Sequence, residues 1–135
     1  MAKFFAIYVA IFLIMLVIDM LWLGVIAKPL YQQGIGHLMA AKPNLVAAGL
    51  FYVIFPIGLM FFAVIPDGVS PEWKRVLINA AVFGFFAYAT YDLTNLAIMK
   101  NWPIGLSLID VAWGTFASTV SAAAGKLVLD RFTAG

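Results

Sequence analysis

Cysteine is absent and histidine occurs once. Disulfides, thiolate metal sites and cysteine nucleophiles are excluded, with no indication of redox compartment. Charge is also scarce: 10% of the 135 residues are Asp, Glu, Lys or Arg, against roughly a quarter in ordinary soluble domains. Basic residues stand singly or as the pair Lys74-Arg75, never as a stripe, so no nucleic-acid partner is expected. A glycine-rich phosphate loop, a histidine-rich metal motif and a Ser-His-Asp set are all missing. No motif names a cofactor.

What is present is hydrocarbon. Apolar residues make up 65% of the chain, and mean hydropathy is +1.05. A chain of one-domain length has too little interior to hide that much apolar side chain. Lipid is the solvent that suits it. The formal charge of +2 and a pI near 9.0 add little.

Four apolar stretches approach the roughly 20 residues that a spanning helix needs. They cover about 4–27, 44–65, 71–99 and 103–129. None alternates polar with apolar positions, which excludes a membrane barrel. The expectation is an all-α, polytopic membrane protein: one transmembrane domain over 1–135, a bundle of four transmembrane helices. Lys3 with Phe4 to Ile18 has the outline of a signal peptide. The apolar run resumes after Asp19, however, and no small-x-small cleavage site follows, so it reads as a first span.

Turn residues punctuate the spans. Pro43 suits the first turn of the second helix, and Pro66-Asp67-Gly68 suits its end. Ser70-Pro71-Glu72 offers a cap, a proline and an acid to start the third. Lys100-Asn101-Trp102-Pro103 is a tight link that makes helices three and four an antiparallel hairpin. Pro56 and Gly58 predict a kink in the second helix. Trp73 and Trp102 fall at span ends, where indole prefers the headgroup layer. Lys3, Lys74, Arg75, Lys126 and Arg131 lie on one side, and Lys28, Lys42 and Lys100 on the other. This bias favours cytoplasmic termini. The 28–43 connection then lies outside, as a short interfacial helix, a cap or a loose connector.

Three acids interrupt the spans. With a rise of about 1.5 Å per residue, Asp19 lies about 12 Å, Asp92 about 10 Å and Asp110 about 9 Å from the same face. Asp19 has Trp22 one turn on, and Asp110 has Trp113 one turn on, in the paired segments Ile-Asp-Met-Leu-Trp and Ile-Asp-Val-Ala-Trp. Tyr88, Asp92 and Asn95 share a stripe, and Ser107 shares a face with Asp110. These eight side chains are the candidate ligand- or ion-binding residues. Thr90 and Thr94 point elsewhere and are expected to bond to their own helix. His37 is the lone histidine and lies in the outer connection.

Each mid-membrane carboxylate costs about 2.5–3.5 kcal/mol on insertion scales. Three together require a shared proton or a cation: a metal ion in an all-oxygen site, a ligand ammonium, or a rim lysine such as Lys28, Lys42 or Lys100. The bland alternative is interhelical hydrogen bonding, a task asparagine would perform more cheaply.

The segments Ile18-Asp19-Met20-Leu21-Trp22-Leu23-Gly24, Tyr88-Ala89-Thr90-Tyr91-Asp92-Leu93-Thr94-Asn95-Leu96-Ala97 and Asp110-Val111-Ala112-Trp113-Gly114-Thr115 resemble a bacterial membrane family, domain of unknown function 2177. The shorter stretches Ala27-Lys28-Pro29-Leu30-Tyr31, Gly36-His37-Leu38, Pro43-Asn44 and Trp102-Pro103 share the resemblance. It implies four helices and a bacterial inner membrane, but no activity. Three readings of function follow. One is a site for a small polar or cationic ligand, metal ion or proton, in a transporter that would need a homo-oligomer for a path. Another is an enzyme acting on a lipid or isoprenoid through two unlike carboxyls. The third is an accessory subunit with structural acids.

Overall fold

An apolar segment in lipid must satisfy its backbone internally, and this chain does so by helix. The computed structural model describes residues 2–42, 44–65 and 71–134. Five α-helices run in order: α1 (Ala2–Leu21), α2 (Lys28–Ile35), α3 (Leu45–Leu59), α4 (Trp73–Ile98) and α5 (Ile104–Ala134). No strand occurs among the described residues. A π-helical segment, Trp22–Ile26, prolongs α1, and another, Met60–Val64, prolongs α3. With these extensions four helices are long and apolar enough to cross a membrane: Ala2–Ile26, Leu45–Val64, Trp73–Ile98 and Ile104–Phe132. The all-α, four-span class holds.

Local signals explain several boundaries. Asn44 caps α3, its side chain accepting from the Ala47 amide at 3.1 Å. Asn101 takes a left-handed conformation (φ 59°) and reverses the chain between α4 and α5; asparagine tolerates that region better than most residues. Pro43, the turn expected at Pro66-Asp67-Gly68, and Ser70 lie outside the described residues. Helix α4 begins at Trp73, not in the first turn expected at Pro71 and Glu72. The Glu72 backbone is extended (φ −66°, ψ 151°), and its side chain makes no cap bond. Pro56 lies within α3, where it has no N–H to give the Tyr52 carbonyl. A π-helical turn follows, Met60–Val64. The connection after α1 folds as α2, with Pro29 in its first turn, followed by a 3₁₀ turn, Gly36–Leu38.

Helices α4 and α5 form an antiparallel hairpin with the largest interface in the bundle. Small residues allow the approach. A Cβ on Gly84 would lie 2.4 Å from Ser118 Oγ and 2.7 Å from the Gly114 carbonyl oxygen. A Cβ on Gly114 would lie 2.1 Å from Tyr88 Cγ. This small-residue contact is how membrane helices gain van der Waals packing without a hydrophobic drive. Helix α1 packs on the other side of α5, where Gly125 receives Ile11 and Ile7. Helix α3 leans on α1, its Val53 carbonyl accepting from Tyr8 Oη at 2.9 Å. It meets α4 through Phe55, Gly58 and the π-helical segment.

The end of the bundle holding the chain termini is filled by Ile7, Ile11, Met15, Leu59, Val64, Val76 and Leu129. Lys126 is buried there, bonded to Asp130 at 2.7 Å and 5.8 Å from the Trp73 ring centroid. Large apolar side chains such as Leu45, Val46, Phe5 and Ile98 face outward, more than two-thirds exposed. Those are surfaces for lipid. The opposite end, under α2, is not filled with hydrocarbon. It contains the acids.

Candidate functional site: an acid and aromatic cavity

The two Ile-Asp-x-x-Trp segments lie on antiparallel helices, so the acid of each comes opposite the tryptophan of the other. Trp113 Nε1 donates to Asp19 Oδ1 at 2.8 Å. Trp22 Nε1 approaches the Tyr31 hydroxyl at 3.5 Å, and Tyr31 donates to Asp110 Oδ1. Between these bonds the two indoles stack, with centroids 4.4 Å apart and planes within 3°. The second Asp19 oxygen accepts from Tyr52 at 2.8 Å. Asp19 is thus held by the opposite helix and by a phenol of α3, and Asp110 by the phenol of α2, which Trp22 approaches in turn. Both acids are more than nine-tenths buried.

Asp92 is the most deeply enclosed of the three, at 1% exposure. Its carboxyl lies beside that of Asp110, and its Oδ2 has no hydrogen-bond partner among the described residues. Asp110 therefore occupies the middle of the layer. It faces Asp92 on one side, and on the other shares a cavity with Asp19, close enough for their charges to interact.

That cavity encloses about 510 Å³, within the roughly 300–1,000 Å³ of small-molecule pockets. Asp19 and Asp110 are its acidic groups. Its walls are Trp22, Tyr31, Tyr52, Tyr88, Tyr91 and Trp113, with Phe51 and Phe55 from α3. Its floor adjoins the apolar plug, because Tyr52, Phe55 and Tyr88 touch both. Helix α2 covers the other end: Gly34 sits over Leu106 of α5 and over Pro103 just before it, and Tyr31 hangs inward from α2. Burial, and then its bond to Asp110, pushes the Tyr31 phenol above its ordinary pKa of 10.0. It stays a donor at any physiological pH.

Of the eight candidate residues, Asp19, Trp22, Tyr88, Asp110 and Trp113 line the cavity. Asp92 joins through Asp110, behind the wall. Two do not join. Asn95 sits beside the Tyr91 hydroxyl, outside the lining. Ser107 accepts from Trp102 Nε1 at 2.9 Å and donates to the Pro103 carbonyl at 3.0 Å, tying down the first turn of α5. Both lie a turn from an acid on the correct face, but toward the α2 end, where that face meets the interhelix link. The three acids do not close on a metal: among the described residues no group of three or more His, Asp or Glu side chains is arranged to hold one. Nor does a rim lysine compensate them: Lys28, Lys42 and Lys100 are exposed, and none is ion-paired with Asp19, Asp92 or Asp110. His37 is exposed on the 3₁₀ turn. Thr90 and Thr94 bond to the carbonyls of Phe86 and Thr90, as expected.

Sequence reasoning missed Tyr31, Tyr52 and Tyr91. A phenol in an apolar run offers one signal, a hydroxyl needing a partner. Only Tyr88, one turn from an acid on its own helix, was legible that way.

No curated protein and no solved structure matches the chain. A family model described as a predicted membrane protein, DUF2177, matches residues 4–127. With four apolar spans and an acid layer within the matched region, the chain belongs to the DUF2177 family of membrane proteins.

Proposed function

We propose that this protein binds an organic cation, an amine or quaternary ammonium group, in the cavity between Asp19 and Asp110. The observation that carries the reading is two buried carboxyls facing one space whose remaining walls are mostly aromatic. A cation is the counter-charge that lets carboxyls ionise inside a membrane. Aromatic faces attract organic cations at about 0.5–2 kcal/mol per ring, and they do so without hydrogen bonds. Metal ions need several converging oxygen ligands instead, which the described acids do not supply. The Trp22–Trp113 stack is one wall, and Tyr52 and Tyr88 bring further rings.

The test uses the protein in phosphatidylcholine nanodiscs, titrated with benzyltrimethylammonium while tryptophan emission is followed. Saturable quenching is expected, weakened at least about tenfold in the Asp19→Asn/Asp110→Asn double variant, equivalent to about 1.4 kcal/mol. Quenching that is absent, or unchanged in a folded double variant, refutes the reading. Loss of thermal stability with unaltered binding would assign the acids a structural role.

A further inference from the structure

The cavity has a mouth, and its position identifies the kind of cation that enters. Helix α3 touches α4 from Phe55 downward, through Phe83, Tyr88 and the π-helical segment. Toward the α2 end the two helices part. There Ala48 and Phe51 of α3, with Ala87 and Tyr91 of α4, line the cavity and are also exposed. Phe51 is 39% exposed and Tyr91 53%. A residue that is both lining and exposed marks an opening. Leu23 of the first span lines the cavity and is exposed as well, so the opening is bordered by membrane-spanning helices and faces hydrocarbon. The end toward water is crossed by α2, whose Tyr31 is bonded to Asp110.

We infer that the ligand is a single-chain amphiphilic amine that enters from the bilayer between α3 and α4. Its ammonium lies at Asp19 and Asp110, and its alkyl chain trails through the mouth past Ala48 and Ala87 into lipid. The inference rests on the organic-cation reading and adds the substrate class and route. The two carboxyls are buried, while the mouth is lined by two alanines and the rings of Phe51 and Tyr91, which matches such a molecule end to end. Ala48 and Ala87 put only methyl groups at the mouth.

The experiment compares tetramethylammonium, octyltrimethylammonium and dodecyltrimethylammonium on the nanodisc-embedded protein. Quenching in the Asp19→Asn/Asp110→Asn variant is subtracted to remove simple partitioning. Site affinity, referred to aqueous concentration, is expected to rise with chain length by roughly three- to fourfold per methylene at first. The Ala48→Phe/Ala87→Phe variant, altered only at exposed positions, should lose at least about tenfold for the dodecyl probe and little for tetramethylammonium. Affinity that is flat or falls with chain length overturns the inference and leaves the cation site standing. So does a mouth variant that binds both probes as before. If no probe binds in an acid-dependent way, the cation site itself fails.

Discussion

Trp113 Nε1 donates to Asp19 Oδ1 at 2.8 Å across 94 residues of sequence. The bond ties the fourth span to the first at the acid layer. It is half of a reciprocal arrangement, since Trp22 on the first span reaches Asp110 on the fourth through Tyr31. The stacked indoles between them hold α1 and α5 in one register.

Trp113→Phe keeps the stack and removes the donor, leaving a buried carboxyl oxygen unsatisfied. A loss of about 1–3 kcal/mol is expected. Trp22→Phe should cost less, because its contact with Tyr31 is at the 3.5 Å limit of hydrogen bonding. Thermal or denaturant unfolding in detergent measures both. Equal losses would show that the indoles act by packing alone.

Tyr31→Phe should release α2 from α5 and increase amide hydrogen exchange in residues 28–38. The pH dependence follows from the raised pKa of the phenol. A group whose folded pKa exceeds its unfolded value stabilises fully below the unfolded value and loses that contribution as pH rises toward the folded one. The Tyr31 contribution should therefore be constant through neutral pH and decline only above about 10. Comparing alkaline unfolding of wild type and Tyr31→Phe isolates it; a Tyr31-dependent change between pH 6 and 8 would contradict it.

Gly114→Ala should strain the hairpin, because the new Cβ would meet the Tyr88 ring at 2.1 Å. The contact is with Cγ, not a flexible tip, so the ring must shift out of the cavity wall. A cost of about 1–3 kcal/mol is expected. Gly24→Ala meets nothing within 4 Å and serves as the control, expected near neutral. Unfolding midpoints in one detergent decide between them.

Ser118 and Ser121 are fully buried, and their hydroxyls have no partner among the described residues. An unsatisfied buried hydroxyl costs about 1–3 kcal/mol. Ser118→Ala and Ser121→Ala should thus leave stability unchanged or raise it, against the usual direction for core substitutions. A fall of more than about 1 kcal/mol in either would reveal a bond formed by that hydroxyl.

The acid layer was legible from arithmetic alone. Helical rise is constant, so the distance of Asp19, Asp92 and Asp110 from their span ends translates into depth. The same constancy made the Thr90 and Thr94 back-bonds readable. Face arithmetic failed for Asn95 and Ser107, because sharing a face gives a direction and not a neighbour. The π-helical turns at Trp22–Ile26 and Met60–Val64 left no trace in the residue pattern. A change of backbone partner from i−4 to i−5 needs no particular side chain.

Composition and run length alone determined that the chain is a helical, four-span membrane protein, because no other solvent or backbone arrangement accommodates so much hydrocarbon. Tertiary structure alone decided that the acids divide their roles, Asp19 and Asp110 facing the cavity and Asp92 set behind it. It also decided that phenols from α2 and α3 complete the site and that the mouth opens sideways. Those features depend on how far helices stand apart, and that separation comes from Gly84, Gly114 and Ser118 on one side and the spread of α3 from α4 on the other. It is a property of packing between segments, which no single stretch of sequence encodes.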